Sequence, residues 1–230
     1  MNKDGTATMS FLIWNDILFL GEMSMKILFV GNSHTYVNDM PQIFKMNSDI
    51  DVDVFMLARG GITFATHLQD PSLHFCLKQD YDMVVYQQAA HVPCPSKEET
   101  LRDGKELIEL ARKYNKKVYV LKPWSVKNDH CGYEVICDIY DTLQKENNVQ
   151  IIDAGETVRR VDEVYNCYLK DNEHMNQLGS YVEACTILNT IFNQTSFKGL
   201  TLSMYQQNPF EPIKLSKEEV DLVQKVINEL

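Results

Sequence analysis

The feature that most constrains this chain is a repeated alternation between short apolar runs and longer stretches with a helical period. The runs at 27–30, 52–57, 83–86, 118–121 and 149–152 are rich in β-branched and aromatic residues, with lengths suited to buried parallel strands. Between and after them lie amphipathic segments. Ser96-Lys97-Glu98-Glu99 has the form of a capping box, and Leu101, Leu107, Ile108, Ala111 and Tyr114 then recur at helical spacing. Residues 133–143 show a similar period, and 177–192 is apolar on more than one face, as expected of a helix packed against a sheet. Ser216-Lys217-Glu218-Glu219 is a second capping box, followed by Val220, Leu222, Val223, Val226 and Ile227. This alternation implies an α/β fold in which helices cover both faces of a parallel sheet. Residues 195–214, with Pro209 and Pro212, read as an irregular surface strap.

The chain has 230 residues, enough for one domain that buries roughly 70–75% of its unfolded surface. Its 22 Lys and Arg against 32 Asp and Glu give a net charge of −10. Such a surface repels phosphate backbones and anionic lipid, which argues against nucleic-acid binding. No apolar run approaches the ~18 residues that span a bilayer, and the mean hydropathy is −0.27. Cys76, Cys94, Cys131, Cys137, Cys167 and Cys185 show no paired short spacing, so no zinc site is expected. Cys76 and Cys185 read as buried free thiols. The apolar stretch 11–20 is broken by Asn15-Asp16, and Lys3 before it is offset by Asp4. That is a poor signal peptide, so a reduced cytoplasmic protein is expected. Residues 1–24 read as an extension and 25–230 as a single domain.

Ligands of open parallel sheets bind at the carboxyl ends of the strands, so the residues there matter most. They are Gly31-Asn32-Ser33-His34-Thr35 after the first run, Arg59-Gly60-Gly61 after the second, Gln87-Gln88 after the third and Pro123-Trp124-Ser125 after the fourth. Ser33 becomes a candidate nucleophile once a base is available. Asp171-Asn172-Glu173-His174 offers one, because a carboxylate three residues before a histidine can bind Nδ1–H and leave Nε2 to take a proton. Asp153 and Glu156 read as first-turn acids of a helix rather than as a catalytic pair.

These blocks resemble the SGNH (GDSL-like) hydrolases, serine esterases and acyl hydrolases, over roughly residues 25–195. The resemblance implies a three-layer α/β/α sandwich with a five-stranded parallel flavodoxin-like sheet and no cofactor or metal. It assigns Ser33 as nucleophile, His174 as base and Asp171 as its orienting carboxylate. It gives the oxyanion to the Ser33 and Gly61 N–H groups and to a side-chain amide, Gln87 first and Gln88 second. Asn32 stands where most members carry Asp. The implied substrate is a small ester, including an O-acetyl or acyl group on a carbohydrate. His34, Gln88 and Trp124 are candidate substrate-binding residues, and a buried structural role suits Trp124 equally. His67, His74, His91 and His130 read as surface or pocket-wall residues. Two other readings stay open: a non-catalytic ligand-binding module on the same fold, and a flavin- or phosphate-binding protein. Homo-oligomerisation is also open. Because the first strand begins near Lys26, a chain starting at Met25 is expected to melt within a few degrees of the full chain. A shortened chain that is insoluble or unfolded would show that residues 11–20 cover an apolar surface.

Overall fold

The computed structural model describes residues 24–89, 96–200 and 214–230. The extension before Ser24, His91, Cys94, most of the expected strap and the side chains of His130 and Cys131 lie outside the described residues.

Five strands, β1 (Met25–Gly31), β2 (Val52–Ala58), β3 (Met83–Gln87), β4 (Lys117–Leu121) and β5 (Gln150–Ile152), form one parallel sheet in the order β2-β1-β3-β4-β5. The helices are α1 (Ser33–Tyr36), α2 (Met40–Asn47), α3 (Phe64–Gln69), α4 (Pro71–Leu77), α5 (Lys97–Lys113), α6 (His130–Asn147), α7 (Ala154–Asp162), α8 (Gln177–Phe192) and α9 (Lys217–Asn228). Side chains alternate across each strand and so divide the core in two. Phe29, Val85, Tyr119 and Ile152 pack with residues of α2, α7, α8 and α9, while Leu28, Val84, Tyr86 and Val120 pack with α3, α4, α5 and α6. This is the expected three-layer sandwich. Both capping boxes form, with Ser96 and Ser216 each accepting from the N–H three residues on. Among the described residues, no helix is long and apolar enough to cross a membrane.

Cys137, Cys167 and Cys185 are free thiols, and so is Cys76, which is half-buried rather than buried as expected. Tertiary burial explains why α8 lacks a single apolar stripe. Twelve of its sixteen residues are buried, so it has core on most sides. One of the twelve is Glu183, which is fully buried and, among the described residues, has no hydrogen-bond partner on either carboxyl oxygen. Desolvation pushes its carboxyl well above the ordinary range, because burial disfavours the charged form.

An unfolded glutamate ionises near pH 4.3, whereas the folded protein keeps the Glu183 proton to higher pH. The folded state then binds more protons than the unfolded one, so this group's contribution is most favourable below about pH 4 and worsens as pH rises. Glu183→Met is expected to stabilise the protein by about 1–3 kcal/mol at pH 8 through removal of an unsatisfied buried group, and by less at pH 4. Equal melting shifts at the two pH values would contradict this.

Candidate active site

The turn that carries Ser33 is built by short-range constraints. β1 ends at Gly31, where a side chain would collide with Thr35 Oγ1 and stand 3.0 Å from Gln87 Oε1. Asn32 then caps α1, its Oδ1 accepting the His34 N–H at 3.0 Å. Ser33 is therefore the first residue of a helix at the carboxyl edge of the sheet. After β2, Gly61 has φ +67°, a left-handed conformation that glycine adopts at little cost. The preceding Gly60 lies against Tyr36 of α1, with the tyrosine oxygen 3.1 Å from where a Cβ would sit.

The loop before α8 brings the other two residues to Ser33. Asp171 Oδ1 accepts the N–H groups of Glu173 and His174, both at 3.0 Å. Its Oδ2 lies 2.9 Å from His174 Nδ1, and His174 Nε2 lies 2.9 Å from Ser33 Oγ. Desolvation pushes the Asp171 carboxyl upward, but the two backbone N–H groups and the His174 ring outweigh it and bring the pKa down to about 2. An ionised carboxylate only accepts, so Nδ1 carries the proton. In the neutral ring Nε2 is then an acceptor facing the Ser33 hydroxyl.

Three contacts hold this loop from behind. Leu169 N–H donates to the His174 carbonyl at 2.8 Å, Lys127 N–H to the Asn172 carbonyl at 2.9 Å and the Trp124 indole N–H to the Glu173 carbonyl at 3.0 Å. The Lys127 ammonium also donates to Asp162 and Asn166 at 2.9 and 2.6 Å.

The two glutamines separate by strand alternation. Gln87 points under the Ser33 turn, where its Oε1 is hydrogen-bonded to the Thr35 hydroxyl, and its Nε2 is buried with no partner among the described residues. Gln88 turns away. Its Oε1 accepts the N–H groups of Phe64 and Ala89 at 2.7 and 3.1 Å, and its Nε2 lies 3.5 Å from Thr100 Oγ1. Gln88 thus holds the start of α3, which corrects its assignment as a substrate or oxyanion residue. Of its two expected roles, Trp124 at 1% exposure takes that of a buried structural residue. It acts as a strut, meeting His34 edge-on at 4.9 Å. His34 is buried, with its ring centroid 5.0 Å from that of His174, so it backs the base rather than presenting a free surface.

His67 is not a surface or pocket-wall residue either. It is buried, and its Nε2 donates to the Gly31 carbonyl at 3.0 Å. Desolvation pushes its pKa down against that bond. Asp153 caps α7 through the Glu156 N–H, as expected, and pairs with Lys122 at 2.5 Å. Among the described residues, no group of three His, Cys, Asp or Glu side chains could hold a metal ion. Thr35, Lys127 and Asn38 also belong to the site but are not marked in the sequence. All three act through bonds to residues distant in sequence, which no local pattern announces.

No protein-family profile and no curated protein matches the chain. Solved structures do. A protein of Slackia heliotrinireducens assigned to the SGNH hydrolases is 23% identical with a TM-score of 0.66, covering 73% of this chain and 99% of the other. A member of the lipolytic G-D-S-L family from Veillonella parvula is 16% identical with a TM-score of 0.63, covering 74% and 100%. A variant of Axe2, an acetylxylan esterase from Geobacillus stearothermophilus, is 13% identical with a TM-score of 0.61, covering 73% and 94%. The chain therefore has the α/β/α fold of the SGNH and G-D-S-L hydrolases.

Proposed function

We propose that this protein is a serine esterase that cleaves small esters through an acyl-enzyme. One observation carries the reading: the unbroken hydrogen-bonded chain from Asp171 through His174 to Ser33, with 2.9 Å at both imidazole nitrogens. That geometry is what general-base activation of a hydroxyl requires. Ser33 Oγ attacks the acyl carbon while Nε2 takes its proton, giving a tetrahedral oxyanion. His174 then protonates the departing alcohol oxygen as the acyl C–O bond breaks. Water repeats the sequence on the acyl-serine, with His174 as base, and releases the carboxylic acid and free Ser33.

The oxyanion is assigned to the Ser33 and Gly61 N–H groups and to the Gln87 amide. Thr35 occupies the amide oxygen of Gln87, so its buried N–H2 is the end left without a partner among the described residues. Each donor of this kind is worth about 2.7–4 kcal/mol in the transition state. The acetylxylan esterase among the structurally similar proteins makes an acetyl group on a carbohydrate the first substrate to test. A p-nitrophenyl ester series of increasing chain length, run with acetylated sugars, reads the acyl preference. A fluorophosphonate is expected to label the wild-type protein and not Ser33→Ala. Absence of labelling would favour a non-catalytic binding module.

With its pKa at about 2, Asp171 stays ionised throughout the working range. The kcat/KM profile is then expected to show no limb from Asp171 above about pH 4. Asp171→Asn is expected to keep the fold and lower kcat by up to ~10⁴-fold, through loss of the required tautomer. Retained activity would mean that another group orients His174. Gln87→Ala is expected to lower kcat about 10²–10³-fold with KM little changed. Gln88→Ala is expected instead to reduce stability by about 1–3 kcal/mol, because it strips a buried N–H of its acceptor. If Gln88→Ala slowed turnover and Gln87→Ala did not, the roles would be exchanged.

A further inference from the structure

The nucleophile and the base reach each other from segments 141 residues apart in sequence, so some contact must set their spacing. The 3₁₀ turn that follows α1, Val37–Asp39, supplies one. Asn38 Nδ2 donates to the carbonyl of Met175, the residue next to His174, and to Ser180 Oγ in the first turn of α8, both at 2.9 Å. Ser180 Oγ in turn lies 3.5 Å from the Val37 carbonyl. The turn that carries Ser33 is thereby tied to both ends of the junction between the His174 loop and α8.

The backbone at this point is unusual. Asn38 and Asp39 are consecutive non-glycine residues at φ 56° and 54°. Left-handed conformations of this kind cost free energy and persist where surrounding structure imposes them. Asparagine tolerates the conformation better than most residues, but glycine would tolerate it with less strain. A glycine here would satisfy the backbone and lose the amide. The side chain present is the one that both accepts the conformation and supplies two donors to the base loop.

We infer that Asn38 is a positioning residue that sets the distance between Ser33 Oγ and His174 Nε2. The inference rests on the serine-esterase reading and extends it. Asn38 contacts no reacting atom. It acts by holding Met175 and Ser180 against the segment that bears the nucleophile, so its loss loosens the approach of the imidazole to the hydroxyl. A displacement of about 1 Å in such a geometry costs on the order of 10²-fold in rate.

Asn38→Gly isolates the effect, since it relieves the left-handed backbone while removing the tether. A purely conformational role for Asn38 makes this variant neutral or more stable with full activity. A positioning role gives a melting temperature within a few degrees of wild type, kcat lowered by about 10–100-fold, KM unchanged and fluorophosphonate labelling slowed in parallel. Asn38→Asp keeps the shape but turns a carboxylate toward the Met175 carbonyl, and is expected to be slowed at least as much. A crystal structure of Asn38→Gly gives a readout independent of activity: the Ser33–His174 separation is expected to exceed hydrogen-bonding distance. Wild-type protein that never labels would refute the esterase reading, while this separation still tests the tether. Wild-type rates together with an unchanged separation in Asn38→Gly would overturn the inference.

Discussion

The position of β1 governs everything else in this structure. It is hydrogen-bonded to β2 on one side and β3 on the other, so the chain reverses its winding direction across it. Such a reversal opens a crevice at the carboxyl ends of the two strands. Gly31 ends β1 at that crevice, Ser33 follows β1, Gly61 follows β2 and Gln87 ends β3. The sheet order thus places the carboxyl ends of β1, β2 and β3 side by side.

Under the Ser33 turn lies a buried polar group of residues rather than an apolar plug. Thr35 bonds Gln87, His67 donates to the Gly31 carbonyl, and Asn32 holds the start of α1. Buried polar groups of this kind are costly unless paired, and they fix a turn more narrowly than hydrophobic contacts do. Among the described residues, Asn32 Nδ2 and Gln87 Nε2 are buried without hydrogen-bond partners, a local cost to stability. The stability comes from elsewhere, chiefly from the two apolar layers, where each fully buried large side chain contributes about 1.5–3 kcal/mol.

Much of this was legible in the sequence, for physical reasons. The five strands announced themselves because strands buried on both faces need unbroken β-branched and aromatic runs. Ser96 and Ser216 were readable as caps because capping is settled within four residues. Ser33, Asp171 and His174 were identifiable as a set because each sits at a strand end or helix start with its neighbours in a recognisable order. What could not be read depends on contacts across the chain. Neighbouring strand residues point to opposite faces, but which way Gln87 and Gln88 each turn depends on their contacts with Thr35 and Phe64, far away in sequence. Of the two roles open to Trp124, its indole bond to the Glu173 carbonyl selects the structural one. His67 and Asn38 carried no local signal, since their partners are 36 and 137 residues away.

The central claim is that Ser33 becomes covalently acylated during turnover. Mass spectrometry of the protein quenched in acid within milliseconds of mixing with p-nitrophenyl acetate tests it most directly. The account predicts one acetyl group per chain, located by peptide mapping on Ser33. Release of p-nitrophenol with no adduct on Ser33, or with the adduct on another residue, would contradict it.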